Sequence, residues 1–76
     1  MINCLSKREI QVLDLISHGL TTKEIASSLY ISNHTVISHR KNLMMKMNVP
    51  NTAGMVRRAF ENGILSLSLT SSPIDF

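Results

Sequence analysis

The charged side chains are unevenly distributed along the chain, and this distribution points to an anionic partner. From Ile25 to Phe60 the sequence contains no Asp or Glu. The basic residues of that stretch are Arg40, Lys41, Lys46, Arg57 and Arg58. A basic stretch without acids favours binding to an anion. The charge by itself is equally consistent with a basic face that only water covers.

The carboxylates and histidines do not form a predicted catalytic or metal site. Glu9 and Glu24 each follow a Ser or Thr by three residues, which is the spacing of a helix capping box and explains both residues. No nucleophile stands beside a base with a third orienting group, and so short a chain hardly encloses a water-excluding cleft. His34 and His39 fall on different sides of one predicted helix, and His18 ends another. We therefore expect no enzyme activity, no metal and no cofactor.

Length and composition indicate one small helical domain. The chain has 76 residues and a net charge of +3, with one Tyr and two Phe, so its core must be mostly aliphatic side chains and methionines. The single cysteine, Cys4, has no internal disulfide partner, which fits a reducing compartment. No apolar stretch is long enough to cross a bilayer and no signal sequence is evident. We expect a soluble, cytoplasmic protein with no membrane contact.

Capping residues and helical periodicity predict four helices. They run from about Lys7 to His18, from Thr22 to Leu29, from Asn33 to Met47, and from Thr52 to Asn62. The predicted N-terminal caps are Ser6, Thr21, Ser32 and Asn51. Glycines end the first and last helices, at Gly19 and Gly63. The apolar positions of the first helix are Ile10, Val12, Leu13 and Ile16. The fourth helix is predicted to place Met55, Val56, Ala59 and Phe60 inward.

The sequence after Gly63 has a different pattern. Leu65, Leu67 and Leu69 alternate with polar residues, which is typical of an extended strand, but the chain offers this strand no partner. We therefore divide the chain into a domain over residues 1–63 and an extended or flexible tail over residues 64–76. The expected fold class is all-α, a four-helix bundle with a short extended C-terminal tail.

The short second helix, the brief turn and the longer third helix have the arrangement of a helix-turn-helix, in which the second of the two helices enters the DNA major groove. At about 100° per residue, the third helix has two different sides. The side predicted to pack contains Val36, His39, Arg40, Leu43 and Met47. The side predicted to be free contains His34, Ile37, Ser38, Lys41 and Met45.

The free side carries groups that could contact base edges. Lys41 can donate to guanine N7 and O6, Ser38 can donate or accept, and Ile37 can touch a thymine methyl, with His34 beside them. A second set would contact phosphates, where the contact sets position but not sequence preference. That set comprises Thr22, Lys23, Thr35, Arg40 and Lys46.

The chain resembles the LuxR/GerE-type helix-turn-helix domain, the C-terminal output module of many response regulators and quorum-sensing regulators. The resemblance covers about residues 4–62. It rests on Leu5-Ser6-Lys7-Arg8-Glu9, Val12-Leu13, Gly19-Leu20, Thr22-Lys23-Glu24-Ile25-Ala26, Leu29, Ile31-Ser32, Thr35-Val36, His39 and Lys46-Met47.

The resemblance implies sequence-specific binding to double-stranded DNA in transcription regulation. It also implies a homodimer formed through the fourth helix, with RNA polymerase as a further candidate partner. The family's base-contacting positions fall on Ile37, Ser38 and Lys41, and its backbone contacts fall on Thr35, Lys46, Thr22 and Lys23. The sequence departs from the family at Ile37, where a basic or polar residue is common, and at Thr52, where arginine is frequent.

One alternative from a different functional class remains open. The same helical fold could serve only to dimerise or to dock another protein, with Ile37, Met45 and the leucine-rich tail as an apolar contact surface. The acid-free basic stretch favours DNA binding over this alternative.

Overall fold

The computed structural model describes residues 5–65, which form four α-helices. These are α1 (Lys7–Ser17), α2 (Thr22–Leu29), α3 (Asn33–Met47) and α4 (Thr52–Glu61). Residues 5–65 contain no strand, so the all-α prediction is confirmed. All four helices begin at the predicted residue. Only α1 and α4 differ from the prediction, since each ends one residue earlier.

Every helix begins at the polar side chain that the sequence indicated. The Ser6 hydroxyl accepts a hydrogen bond from the Glu9 N–H at 3.1 Å, and the Glu9 carboxylate accepts one from the Ser6 N–H at 2.9 Å. Thr21 and Glu24 form the same reciprocal pair at the start of α2. Ser32 and Asn51 each accept one backbone N–H, at the starts of α3 and α4. Each such cap contributes about 1 kcal/mol to stability.

The turns after α2 and α3 place non-glycine residues in the left-handed region. Tyr30 has φ +56° and Asn48 has φ +55°. The left-handed residue ends its helix and lets the chain change direction within two or three residues. Asn tolerates this conformation better than most residues, whereas a side chain such as that of Tyr30 adopts it at a steric cost.

The hydrophobic core forms around α3, which packs against each of the other three helices. Its contribution is Val36, Leu43 and Met47, all fully covered or nearly so. The other helices contribute Val12, Leu13, Ile16, Ile25, Ala26, Met55 and Ala59. Because α3 lies between the other elements, its rotation about its own axis is set by packing on several sides.

Phe60, which was predicted to face inward, lies at the margin of the core instead, and so does the apolar residue Ile10. The side chain of Phe60 is 37% exposed and that of Ile10 is 39% exposed. At about 100° per residue, Phe60 lies about 100° around α4 from buried Ala59. Ile10 is displaced by a similar angle from the buried side of α1. The inward prediction for Phe60 is therefore wrong, because the buried sides of α1 and α4 are narrower than their apolar sides.

Ile64 and Leu65, the first two residues assigned to the tail, contact the hydrophobic core. Leu65 is buried, and its N–H donates to the carbonyl of Ala59 at 3.2 Å. The rest of the tail, residues 66–76, lies outside the described residues, so its predicted extended or flexible character stays a prediction.

The backbone at Tyr30 gives a direct test of this turn. The side chain is 94% exposed, so Tyr30→Gly removes almost no packing while it removes the steric cost of the left-handed conformation. We expect this variant to raise the free energy of unfolding by up to about 1 kcal/mol in urea titrations. Tyr30→Val should lower it by about 1–2 kcal/mol, because a β-branched residue is a poor fit to positive φ. A valine variant as stable as the glycine variant would contradict the observed turn.

Candidate nucleic-acid interface

The outward face of α3 consists of His34, Ile37, Ser38, Lys41 and Met45, and all five are exposed. The opposite side of the helix carries the buried residues Val36, Leu43 and Met47. The predicted division of α3 into a packed side and a free side is therefore confirmed. Since none of the five outward side chains is needed to fill the core, all are available to a partner.

The polar side chains of the outward face are not used within the domain. Among residues 5–65, the side chains of His34, Ser38 and Lys41 make no hydrogen bond or ion pair. A free hydroxyl and a free ammonium group are donors that base edges in the major groove can accept. No acidic residue lies on α3 to oppose their approach to DNA.

Sequence reasoning missed one polar residue at the edge of this face. Asn42 is exposed, and its amide has no partner among the described residues. At about 100° per residue it lies only about 40° around the helix from Ser38. A side-chain amide can pair with adenine through both of its polar atoms, so Asn42 is a further candidate for base contact. The helical periodicity alone could have identified it.

Arg40 connects the starts of two other helices to α3. Its Nη2 donates to the Thr52 hydroxyl at 2.8 Å, and its Nη1 lies 3.4 Å from the Thr22 hydroxyl. Thr22 and Thr52 are the first residues of α2 and α4. From the sequence, Arg40 was predicted to contact phosphate. The structure adds a second role, which is to connect α3 to the starts of α2 and α4. A guanidinium carries five N–H donors, so these two bonds leave others for an anion.

Lys46 joins the last turn of α3 to the first turn of α1. Its ammonium lies 2.8 Å from Oε1 of Glu9, whose side chain is only 6% exposed. From the sequence, Glu9 was predicted to be a capping residue alone and Lys46 a phosphate contact. The structure confirms the cap and adds an ion pair between residues 37 positions apart.

The ion pair changes the acidity of Glu9. Burial of the carboxylate raises its pKa, but the hydrogen bonds from Lys46 and from the Ser6 N–H, together with the charges of Lys46 and His39, lower it by more. The pKa of Glu9 therefore lies below its ordinary value of 4.5. The charged form is the one that holds α1 and α3 together.

Three of the other predicted phosphate contacts lie in the first turns of α2 and α3. Thr35 is half-buried in the first turn of α3, where its hydroxyl lies 2.9 Å from that of Ser32. Thr22 is half-buried and touches Arg40, whereas the neighbouring Lys23 is exposed. Lys46 lies elsewhere, since it is about 120° around α3 from Arg40. The predicted phosphate contacts thus fall on two sides of the outward face instead of forming one cluster.

None of the helices within residues 5–65 has the length and apolar character needed to cross a membrane.

Comparison with known proteins gives a consistent result. Residues 3–59 match the family described as bacterial regulatory proteins, luxR family. Over 62 residues the chain is 45% identical to the transcriptional regulatory protein MctR of Rhizobium johnstonii. The matched region covers 82% of this chain and 29% of MctR. Over 57 residues it is 46% identical to the transcriptional regulatory protein UhpA of Escherichia coli, covering 75% of this chain and 29% of UhpA.

A solved structure has the same fold. The response regulator ChrA of a heme-sensing two-component system superposes with a TM-score of 0.79 and 30% sequence identity, over 83% of this chain and 31% of ChrA. The chain therefore spans less than a third of the length of these relatives.

The Glu9–Lys46 pair predicts acid sensitivity. Because the pKa of Glu9 is lower in the folded state than its ordinary 4.5, its contribution to stability is complete above that value and is lost as the pH falls through the folded pKa. We expect the free energy of unfolding to fall below about pH 4.5, and to fall less steeply in Glu9→Gln.

At pH 7, Glu9→Gln should lower the free energy of unfolding by about 1–3 kcal/mol, measured by urea titration. Glu24→Gln is the matched control, because Glu24 occupies the same place in the second capping box but forms no ion pair with a described residue. Equal losses in the two variants would show that the cap alone matters and that the ion pair contributes nothing.

The Arg40 contacts can be compared in double-mutant cycles. Arg40→Ala combined with Thr52→Ala should give a coupling energy of about 1 kcal/mol in urea unfolding, since a short hydrogen bond to a charged donor is lost. The Arg40 and Thr22 cycle should give a smaller value, because that distance is 3.4 Å and not 2.8 Å. The reverse order would contradict the observed geometry.

Proposed function

The chain belongs to the luxR family of bacterial regulatory proteins, which act by binding DNA in transcription regulation, and we propose that its α3 enters the major groove of double-stranded DNA to recognise a specific sequence. The observation that supports this most directly is the outward face of α3, whose polar side chains have no partner among residues 5–65. Base edges lie deep in the groove, and only a helix side with no packing role can reach them.

Within this arrangement Lys41 and Ser38 contact base edges, with Ile37 and His34 beside them. Lys41 is the strongest candidate for sequence preference, since an exposed ammonium can donate to both acceptors of guanine. The exposed amide of Asn42 adds a candidate adenine contact one helical turn after Ser38.

The proposed phosphate contacts border this face and position it. Lys23 is exposed beside the N-terminus of α2, where backbone N–H groups favour an anion. Arg40 and Thr22 lie together at that same end, and Thr35 lies in the first turn of α3. Lys46, held by Glu9, is on the other side of α3. Contacts on both sides of a helix suit a groove with phosphates along both edges.

We further propose that two copies bind a pseudo-palindromic site, with their third helices in successive major grooves about 34 Å apart. The fourth helix is the candidate dimer contact, because Phe60 and Ala53 leave apolar surface uncovered on its outer side. RNA polymerase is a further candidate partner.

The role proposed is binding and not catalysis. The cytoplasm is the proposed location, because the bacterial chromosome lies there.

Because the chain spans less than a third of MctR, UhpA and ChrA, the activity of a whole regulator is also a proposal. ChrA belongs to a two-component system, in which a response regulator carries a signal to its output. We propose that this chain acts as the DNA-binding output of such a response.

Two lysine variants distinguish base contact from phosphate contact. Lys41→Ala should weaken binding to the preferred duplex by about 1–3 kcal/mol and reduce discrimination against altered sites. Lys23→Ala removes the same charge from an exposed position, but should weaken binding to all duplexes equally and lower the salt slope by about 1. The measurement is fluorescence anisotropy at several salt concentrations, with a duplex selected from a random pool and a scrambled duplex.

The alternative of a protein-interaction module predicts a different result. Sedimentation would then show association of the chain, while no duplex would bind at any salt concentration. Sequence discrimination that Lys41→Ala leaves unchanged would contradict the assignment of α3 to the groove.

A further inference from the structure

The outward face of α3 contains an apolar side chain at a position where a polar contact would be expected. Ile37 is 42% exposed and lies one helical turn before Lys41. Val36, its neighbour in the chain, is fully buried, whereas Ile37 is not needed to fill the core. Ile37 therefore presents apolar surface to whatever partner covers α3.

The major groove offers one apolar group among its base edges, which is the C5-methyl of thymine. Guanine, adenine and cytosine present hydrogen-bond donors or acceptors there, and an isoleucine that covered them would leave those groups unpaired. A β-branched side chain in a helix is also held in one χ1 rotamer, so the methyl groups of Ile37 have a fixed direction. Both properties favour contact with a methyl group at one defined position.

We propose that Ile37 selects a thymine in the half-site, through contact with its 5-methyl group, next to a guanine contacted by Lys41. The inference depends on the proposed function, since it specifies what the same face recognises. One helical turn separates the two residues by about 6 Å along α3. Successive base pairs of DNA are about 3.4 Å apart. The thymine therefore lies within about two base pairs of the guanine.

The test replaces each thymine of the selected duplex, one at a time, with deoxyuridine. This change removes only the 5-methyl group and keeps the base pairing. We expect one position in each half-site to weaken binding of the 76-residue chain about 3- to 5-fold, which corresponds to the loss of one buried methyl group. The sensitive position should lie within about two base pairs of the guanine whose discrimination Lys41→Ala reduces.

Variants of the chain assign the effect to Ile37. In Ile37→Ala, the thymine duplex and the deoxyuridine duplex should bind equally at the sensitive position. Ile37→Val should retain most of the difference, because valine keeps the branched methyl groups. Ile10→Ala is the matched control, since Ile10 is also an isoleucine and is 39% exposed, but lies on α1. It should retain the full difference.

The outcomes separate this inference from the proposed function. Specific binding of a duplex with no sensitive thymine, or sensitivity that persists in Ile37→Ala, would overturn the thymine contact and leave DNA recognition by α3 intact. No binding to any duplex would overturn both. Unfolding titrations of Ile37→Ala complete the test, because the exposed position predicts a stability close to that of the unaltered chain.

Discussion

The burial of one side of α3 is the constraint on which the rest of the domain depends. Val36, Leu43 and Met47 are covered by residues from the other three helices, so they fix which way α3 faces. A helix of fifteen residues in isolation would be marginally stable in water, and its polar outward face would contribute little. The packing thus stabilises the helix and at the same time leaves the opposite side available to DNA.

Polar contacts from the middle and from the last turn of α3 complement this packing. Arg40 joins the helix to the starts of α2 and α4, and Lys46 joins it to Glu9 in α1. Both residues belong to the set proposed for phosphate contact. Because they are already held by other side chains, they lose less conformational entropy when an anion binds. Contacts that stabilise the domain therefore also place its positive charge.

The outward face combines a few polar groups with two apolar side chains, Ile37 and Met45. Phosphate contacts set the position of a protein on DNA, whereas base contacts set its sequence preference. The polar candidates are Ser38, Lys41 and Asn42, and Ile37 lies among them without a polar group of its own. On the proposed function, sequence preference comes from a small number of contacts, and the proposed contact of Ile37 with a methyl group carries part of it.

Local sequence determined the helices, because a cap needs only residues three positions apart, as in the pair formed by Thr21 and Glu24. Helical periodicity likewise predicted the free side of α3. It did not predict the exposure of Ile10 and Phe60, since the width of a buried side depends on the neighbouring helices. Nor did it predict the Arg40–Thr52 bond or the pairing of Glu9 with Lys46. Such contacts join residues distant in sequence, and only the packing of the helices against one another brings their atoms within bonding distance.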